Sequence, residues 1–155
     1  MTDSHWFYRN KKISEVPENS FGFVYMIVNM LTGQKYIGRK YFYSTHRKSL
    51  TAKQKREGKK RRTRVTKESN WREYMGSSKT LLADIERLGK TNFEFKILIF
   101  GETKGQVNYL EMKMQFLHDV SINPAFYNDT IGSGKFASIK DPTLLFENIQ
   151  ENLDF

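Results

Sequence analysis

Residues Phe21 to Lys40, FGFVYMIVNMLTGQKYIGRK, constrain the fold more than any other stretch of this chain. FGFVYMIV is rich in β-branched and aromatic residues, NMLTGQ supplies Asn, Thr and Gly for a reversal, and KYIGRKYFY resumes the strand pattern. The stretch predicts a β-hairpin. It also carries Tyr25 and Tyr36, more phenolic hydroxyl than a hairpin needs.

The remaining elements follow from period and punctuation. Ser77 or Ser78 caps a helix KTLLADIERLG, with Leu81, Leu82, Ile85 and Leu88 on one face and Gly89 as its stop. NFEFKILIF predicts a third strand, Phe93 to Phe100. A second amphipathic helix is expected from Thr103 to Asp119, with Val107, Leu110, Met114 and Leu117 as its buried stripe. NPAFYND is a turn into a short extended piece, and GSGK is a hinge. Asp141 then caps, and Pro142 starts, a last helix carrying Leu145, Ile149 and Leu153. The order β, β, α, β, α, α predicts an α+β fold, a small three-stranded antiparallel sheet flanked by helices. The expected organisation is an N-terminal extension over 1–20, a domain over 21–133 with a basic insertion at about 48–70, and an acidic C-terminal helix over 134–155.

Charge narrows the partner. The chain of 155 residues has a net charge of +9, and the excess is concentrated. From Arg39 to Arg72 there are 14 Lys or Arg against two Glu, and six of the eight residues from Lys55 to Arg62 are basic. TAKQKREGKKRRTRVTKES has almost nothing to bury, so it is expected as a mobile loop or frayed helix that phosphates neutralise, binding in a salt-sensitive way. Candidate nucleic-acid contacts are Arg39, Lys40, Lys48, Lys59, Lys60, Arg61, Arg62 and Arg64. With no cysteine there is no disulfide, thiolate nucleophile or cysteine zinc site. No apolar run reaches membrane-spanning length and no signal peptide is indicated, so a soluble cytoplasmic protein is expected, in the host's cytoplasm if it is virus-encoded.

Val24-Tyr25, then ten residues, then Tyr36-Ile37-Gly38 resembles the signature of the GIY-YIG nucleases. Gly22, Asn29 and Thr32-Gly33 fit its surroundings. Later landmarks keep the family's order: GSSKTLLADIERLG, a strand, a helix with a central Glu111, then Tyr127-Asn128. The resemblance covers about residues 21 to 131, interrupted by the basic insertion, and is similar in flavour to small phage-encoded members, including homing endonucleases.

That resemblance implies a metal-dependent DNA endonuclease. Phosphodiester hydrolysis needs a positioned water, neutralisation of the anionic transition state and stabilisation of the leaving oxygen. The resemblance makes Tyr25 the general base or its positioning partner and Tyr36 the second hydroxyl. Glu111 becomes the ligand of Mg2+ or Mn2+, since a hard cation that keeps its waters needs one or two carboxylates. Arg47 is chosen as the catalytic arginine, with Arg39 and Lys48 as substitutes. Thr51 stands where the family carries His or Tyr, and His46 or Tyr43 is the replacement considered. Asn128 is expected to orient the site. Against these roles stand ordinary ones: strand tyrosines, a helix carboxylate paired with Lys104 or Lys113, a turn asparagine. Two other functions remain in view, a noncatalytic nucleic-acid-binding protein on a nuclease-like scaffold and an interaction module docking through the acidic C-terminal helix.

Overall fold

The computed structural model describes residues 3–61, 63–132 and 134–135. Among the described residues, nine strands and three α-helices run in the order β1 (Phe7–Tyr8), β2 (Lys11–Lys12), β3 (Gly22–Asn29), β4 (Lys35–Tyr41), β5 (Tyr43–Lys48), α1 (Ala52–Arg56), β6 (Thr63–Glu68), α2 (Lys79–Leu88), β7 (Phe93–Gly101), α3 (Lys104–Leu117), β8 (Thr130–Ile131) and β9 (Gly134–Lys135). The main sheet has five strands in the order β2-β1-β7-β3-β4.

The predicted hairpin is β3–β4, antiparallel from Gly22↔Tyr41 to Val28↔Lys35. Its reversal is built by Asn29, whose Oδ1 accepts from Leu31 N–H at 3.0 Å and Thr32 N–H at 3.3 Å, an Asx turn completed by Gly33 at φ 81°. β3 is central and buried on both faces, which explains its nearly unbroken apolar run. β7 pairs antiparallel on its other side.

The sheet is larger than the three antiparallel strands expected. Residues within the 1–20 stretch add β1 and β2, with β1 parallel to β7 at Phe7↔Lys96. These strands are two residues long, joined through Arg9 and Asn10 at φ 48° and 64°, too short to show a period. Just before them, Trp6 is fully buried and donates from Nε1 to Trp71 O at 2.7 Å.

Two cores flank the sheet. Trp6, Phe23, Tyr25, Ile27, Phe42, Trp71, Leu81, Ile85, Phe93, Phe95 and Ile97 form the larger, beneath α2. Val24, Ile37, Val120, Phe126 and Ile131 form the smaller, with Leu110 and Met114 of α3 packed against it. A β-bulge makes the division possible: Val24 faces Ile99 and Tyr25 faces Ile97, so Leu98 and Ile99 both reach the α3 side. Helix α2 begins as expected, with Ser78 accepting from Leu81 N–H at 3.3 Å.

Helix α3 differs from its predicted stripe. Val107, Glu111 and Gln115 are its buried residues, while Leu117 is 68 % exposed. The basic stretch also differs from the loop or frayed helix expected. β5 and β6 pair antiparallel from Tyr43↔Glu68 to Lys48↔Thr63 as a separate ribbon. Beyond it lies α1, closed by a capping box between Thr51 and Gln54. Short alternations of Thr, Val and charge support a ribbon that charge density concealed. The predicted C-terminal helix, with Leu145, Ile149 and Leu153, lies outside the described residues.

Candidate active site

β4 is the outer edge of the sheet, and its outward backbone groups are satisfied at every second residue. Lys35 bonds main chain to main chain, its N–H donating to Ala125 O at 2.9 Å and its carbonyl accepting from Tyr127 N–H at 2.8 Å. At Ile37, Asn128 repeats that pairing with its side chain, Oδ1 accepting from the N–H at 3.0 Å and Nδ2 donating to the carbonyl at 2.8 Å. Gln115 Nε2 donates to the same carbonyl at 2.9 Å. At Arg39, the Glu111 carboxylate accepts from the backbone N–H and from guanidinium Nη1, the latter 2.6 Å from Oε1. The buried face of α3 is polar because it meets a strand edge rather than a sheet face. Burial pushes the Glu111 carboxyl up, and Arg39 opposes that shift.

The tyrosines lie on the opposite face. Tyr25 stands across the ladder from Gly38, and its ring centroid is 6.1 Å from that of Tyr36. Gly38 makes the room: a Cβ there would stand 2.5 Å from Tyr25 Oη and 2.9 Å from Tyr36 Cε1. Tyr25 is 1 % exposed. Burial first, then Tyr36, Tyr74 and Glu111, hold its hydroxyl well above the ordinary tyrosine range. Burial likewise raises Tyr36, opposed by a hydrogen bond with Ser77, whose Oγ lies 3.3 Å from its Oη. Glu111 adds to the rise of both phenols. In this environment both phenols are protonated at neutral pH and serve as oriented hydrogen-bonding groups.

A cleft of about 400 Å3 opens at the end of β4, lined by Arg39, Lys40, Tyr41, Tyr43, Tyr74 and Lys104 among others. Arg39 Nε donates to Tyr41 Oη at 3.0 Å, and Tyr41 donates on to Asn108, fixing the guanidinium. Lys40 Nζ lies 4.1 Å from the Tyr74 ring centre and 2.8 Å from Asn70 Oδ1. Burial lowers its pKa, with Glu73 opposing. The cleft therefore presents cations and phenolic edges to a phosphate-sized anion.

Of the residues singled out in the sequence, Arg39 and Lys40 line this cleft, while Tyr25 and Tyr36 pack at Gly38, Glu111 bonds Arg39 and Asn128 holds Ile37 on the same edge strand. Arg47 is elsewhere: it sits on β5 opposite Arg64, exposed, on the ribbon. Lys48, Lys59, Lys60 and Arg61 belong to the same projecting arm, and Arg62 lies outside the described residues. His46 is also on the ribbon, its Nε2 3.3 Å from Ser44 Oγ, whereas Tyr43 lines the cleft. Tyr41, Tyr74, Lys104, Asn108 and Gln115 were not singled out for the site. Gln115, one turn after Glu111, carried the only usable signal, its helical spacing.

The family model described as "Putative endonuclease segE, GIY-YIG domain" matches residues 6–131. The chain belongs to the GIY-YIG nuclease family. In this GIY-YIG domain the two signature halves are ladder partners, Tyr25 against Gly38 and Ile27 against Tyr36. The match begins at Trp6, where the chain enters the larger core. No curated protein and no solved structure matches the chain. No described helix is long and apolar enough to cross a membrane. A GIY-YIG domain makes the chain a nuclease, with DNA as the substrate class that membership implies.

Proposed function

We propose that the chain is a divalent-metal-dependent DNA endonuclease working in the cytoplasm, and that it cuts at the edge of β4. The observation carrying this reading is that neighbouring residues of edge strand β4 hold two groups, Tyr25 and Tyr36 packed at Gly38 on one face and Arg39 bonded to Glu111 on the other. Glu111 fits a hard cation: the one buried carboxylate among the described residues, bonded to an arginine that lines the cleft, is the donor that Mg2+ or Mn2+ takes when it keeps most of its waters. Bound there, the ion would supply Lewis-acid stabilisation of the leaving oxygen.

The chain's own groups do the rest. Tyr36, the less buried phenol, hydrogen-bonds and orients the attacking water, while Tyr25 and Ser77 fix its direction. Arg39, held by Glu111 and Tyr41, places its guanidinium against a nonbridging phosphate oxygen, with Lys40 as a second positive charge. Arg39 takes the role first given to Arg47, because Arg47 stands on the arm. Asn128 positions the site by holding both backbone groups of Ile37. The arm's lysines and arginines grip the DNA backbone.

The direct test is conversion of supercoiled plasmid to nicked or linear form with Mg2+, with Mn2+ and with chelator. Cutting in metal and none in chelator is expected. DNA binding without cutting in either metal would leave the noncatalytic binding protein as the better account.

A further inference from the structure

The β5–β6 ribbon has two different faces. Residues directly opposite in an antiparallel pair project to the same side, so Tyr43 with Glu68, Thr45 with Thr66, and Arg47 with Arg64 share one face. Thr45 and Thr66 hydroxyls stand 3.4 Å apart on that face. Ser44, His46 and Lys48 face the other way. The base of the ribbon is continuous with the cleft, since Tyr43, Ser44 and Thr45 line it together with Arg39 and Lys40.

Arg47 directly across from Arg64 is a costly choice for the free protein. Like charges opposite each other destabilise a ladder, and a lone two-stranded ribbon has little stability to lose. Both side chains are exposed, and among the described residues no carboxylate pairs with either. A ligand that supplies acceptors to both guanidiniums removes the conflict. Further out, the basic connection from Lys53 to Arg61 at the ribbon's far end offers charge to phosphates. The arginine pair lies between that end and the cleft, within reach of the base edges of a duplex that the cleft and the arm would hold.

We propose that the β5–β6 ribbon enters the major groove of duplex DNA and that Arg47 and Arg64 read guanines there, selecting where the nuclease acts. The proposal rests on the DNA-endonuclease reading above and names the specificity element of the same site. The dimensions agree: the major groove is about 12 Å wide and admits a two-stranded ribbon, and six residues span roughly 20 Å. A guanidinium fork matches guanine O6 and N7 at once, which the point charge of lysine does not. Thr45 and Thr66, the next pair on this face toward the cleft, offer methyl groups to a neighbouring thymine.

The test separates this from cleavage. The wild-type chain, in chelator, is used to select from a randomised DNA duplex library, and the recovered sequences are read. Wild type is expected to enrich a motif with guanine fixed at one or two positions. Arg47→Lys should erase one guanine and Arg64→Lys the other, each by about tenfold or more in relative affinity, while the salt dependence of binding is kept. Lys59→Ala with Lys60→Ala should weaken all sequences alike and lower the salt slope by about 2. No guanine preference in wild type, an unchanged motif in the variant carrying both Arg47→Lys and Arg64→Lys, or stronger binding to duplex RNA, whose major groove is too deep and narrow to read, would each overturn the proposal. Failure of the nuclease reading is seen separately, as absence of plasmid cutting in Mg2+ and Mn2+.

Discussion

Arg39 and Glu111 stand 2.6 Å apart, Nη1 to Oε1, and join edge strand β4 to helix α3 across the site. The carboxylate is nearly buried, with 7 % of the side chain exposed, against 34 % for the arginine. Its charge is thus held by one partner that is itself open to the cleft. Glu111→Gln keeps the shape and an acceptor but removes the charge. Cleavage in Mg2+ is expected to fall about 100-fold or more, ~2.7 kcal/mol of transition-state stabilisation. DNA affinity in chelator should hold or rise, and stability should drop by about 1–3 kcal/mol as Arg39 loses its ionic partner. Equal cleavage rates across a Mg2+ titration would remove Glu111 as the ligand.

Gly38 tests the packing of the two phenols. Gly38→Ala puts a methyl group 2.5 Å from Tyr25 Oη, so both phenols must shift. We expect a stability loss of about 1–3 kcal/mol from overpacking, with cleavage reduced about 100-fold. Binding through the distant arm should survive. Urea unfolding, plasmid nicking and a binding isotherm measure the three, and full nicking activity would show that the phenols need no fixed placement.

Tyr36→Phe and Tyr25→Phe separate the hydroxyls. Both are expected to cut slowly. Tyr25→Phe should also cost about 1 kcal/mol of stability, because its hydroxyl is buried among Tyr36 and Tyr74. Tyr36→Phe should leave the unfolding midpoint in place. Wild-type nicking by either variant would return that tyrosine to a structural role.

Asn128→Ala strips partners from the N–H and carbonyl of Ile37, the latter keeping Gln115. Loss of about 2–4 kcal/mol is expected, since a buried backbone N–H is left unpaired. Hydrogen exchange should show the Ile37 amide opening well before its neighbours on β3. Unchanged protection at Ile37 would contradict the pairing.

His5 gives a pH dependence. Its Nε2 lies 2.9 Å from Tyr74 O, so the neutral ring donates there, and buried Nδ1 has no partner among the described residues. Burial first, then Lys90, lowers its pKa to about 4. The unfolded chain takes up this proton below about 6.5, so the folded state binds fewer protons between pH 6.5 and 4. Stability is therefore full above 6.5 and falls as the pH drops through that window, by roughly 1–2 kcal/mol after solvent screening. His5→Phe keeps the ring against Phe95 and should flatten the decline between pH 7 and 5. A decline of equal size in the variant would exclude His5 as its source.

The sequence alone was enough for whatever is local or periodic. The β3–β4 hairpin, the Ser78-capped α2, strand β7 and the extent of α3 follow from apolar runs, turn residues and caps, which act over a few neighbours. The signature spacing of Tyr25, Tyr36 and Gly38 and the later Glu111 and Asn128 likewise pointed to the nuclease family. Tertiary structure alone decided which polar groups meet. That Glu111 and Gln115, not Leu117, form the buried face of α3 follows from its docking on a strand edge, where unpaired backbone must be satisfied 72 to 78 positions away in sequence. Arg47 and Arg39 are both basic residues after the same glycine. Only the path of the chain, straight out along β5 rather than into a helix, puts one on the arm and the other on Glu111. A side chain's chemistry is written in its identity, but its partner is chosen by contacts between distant residues, which no local pattern encodes.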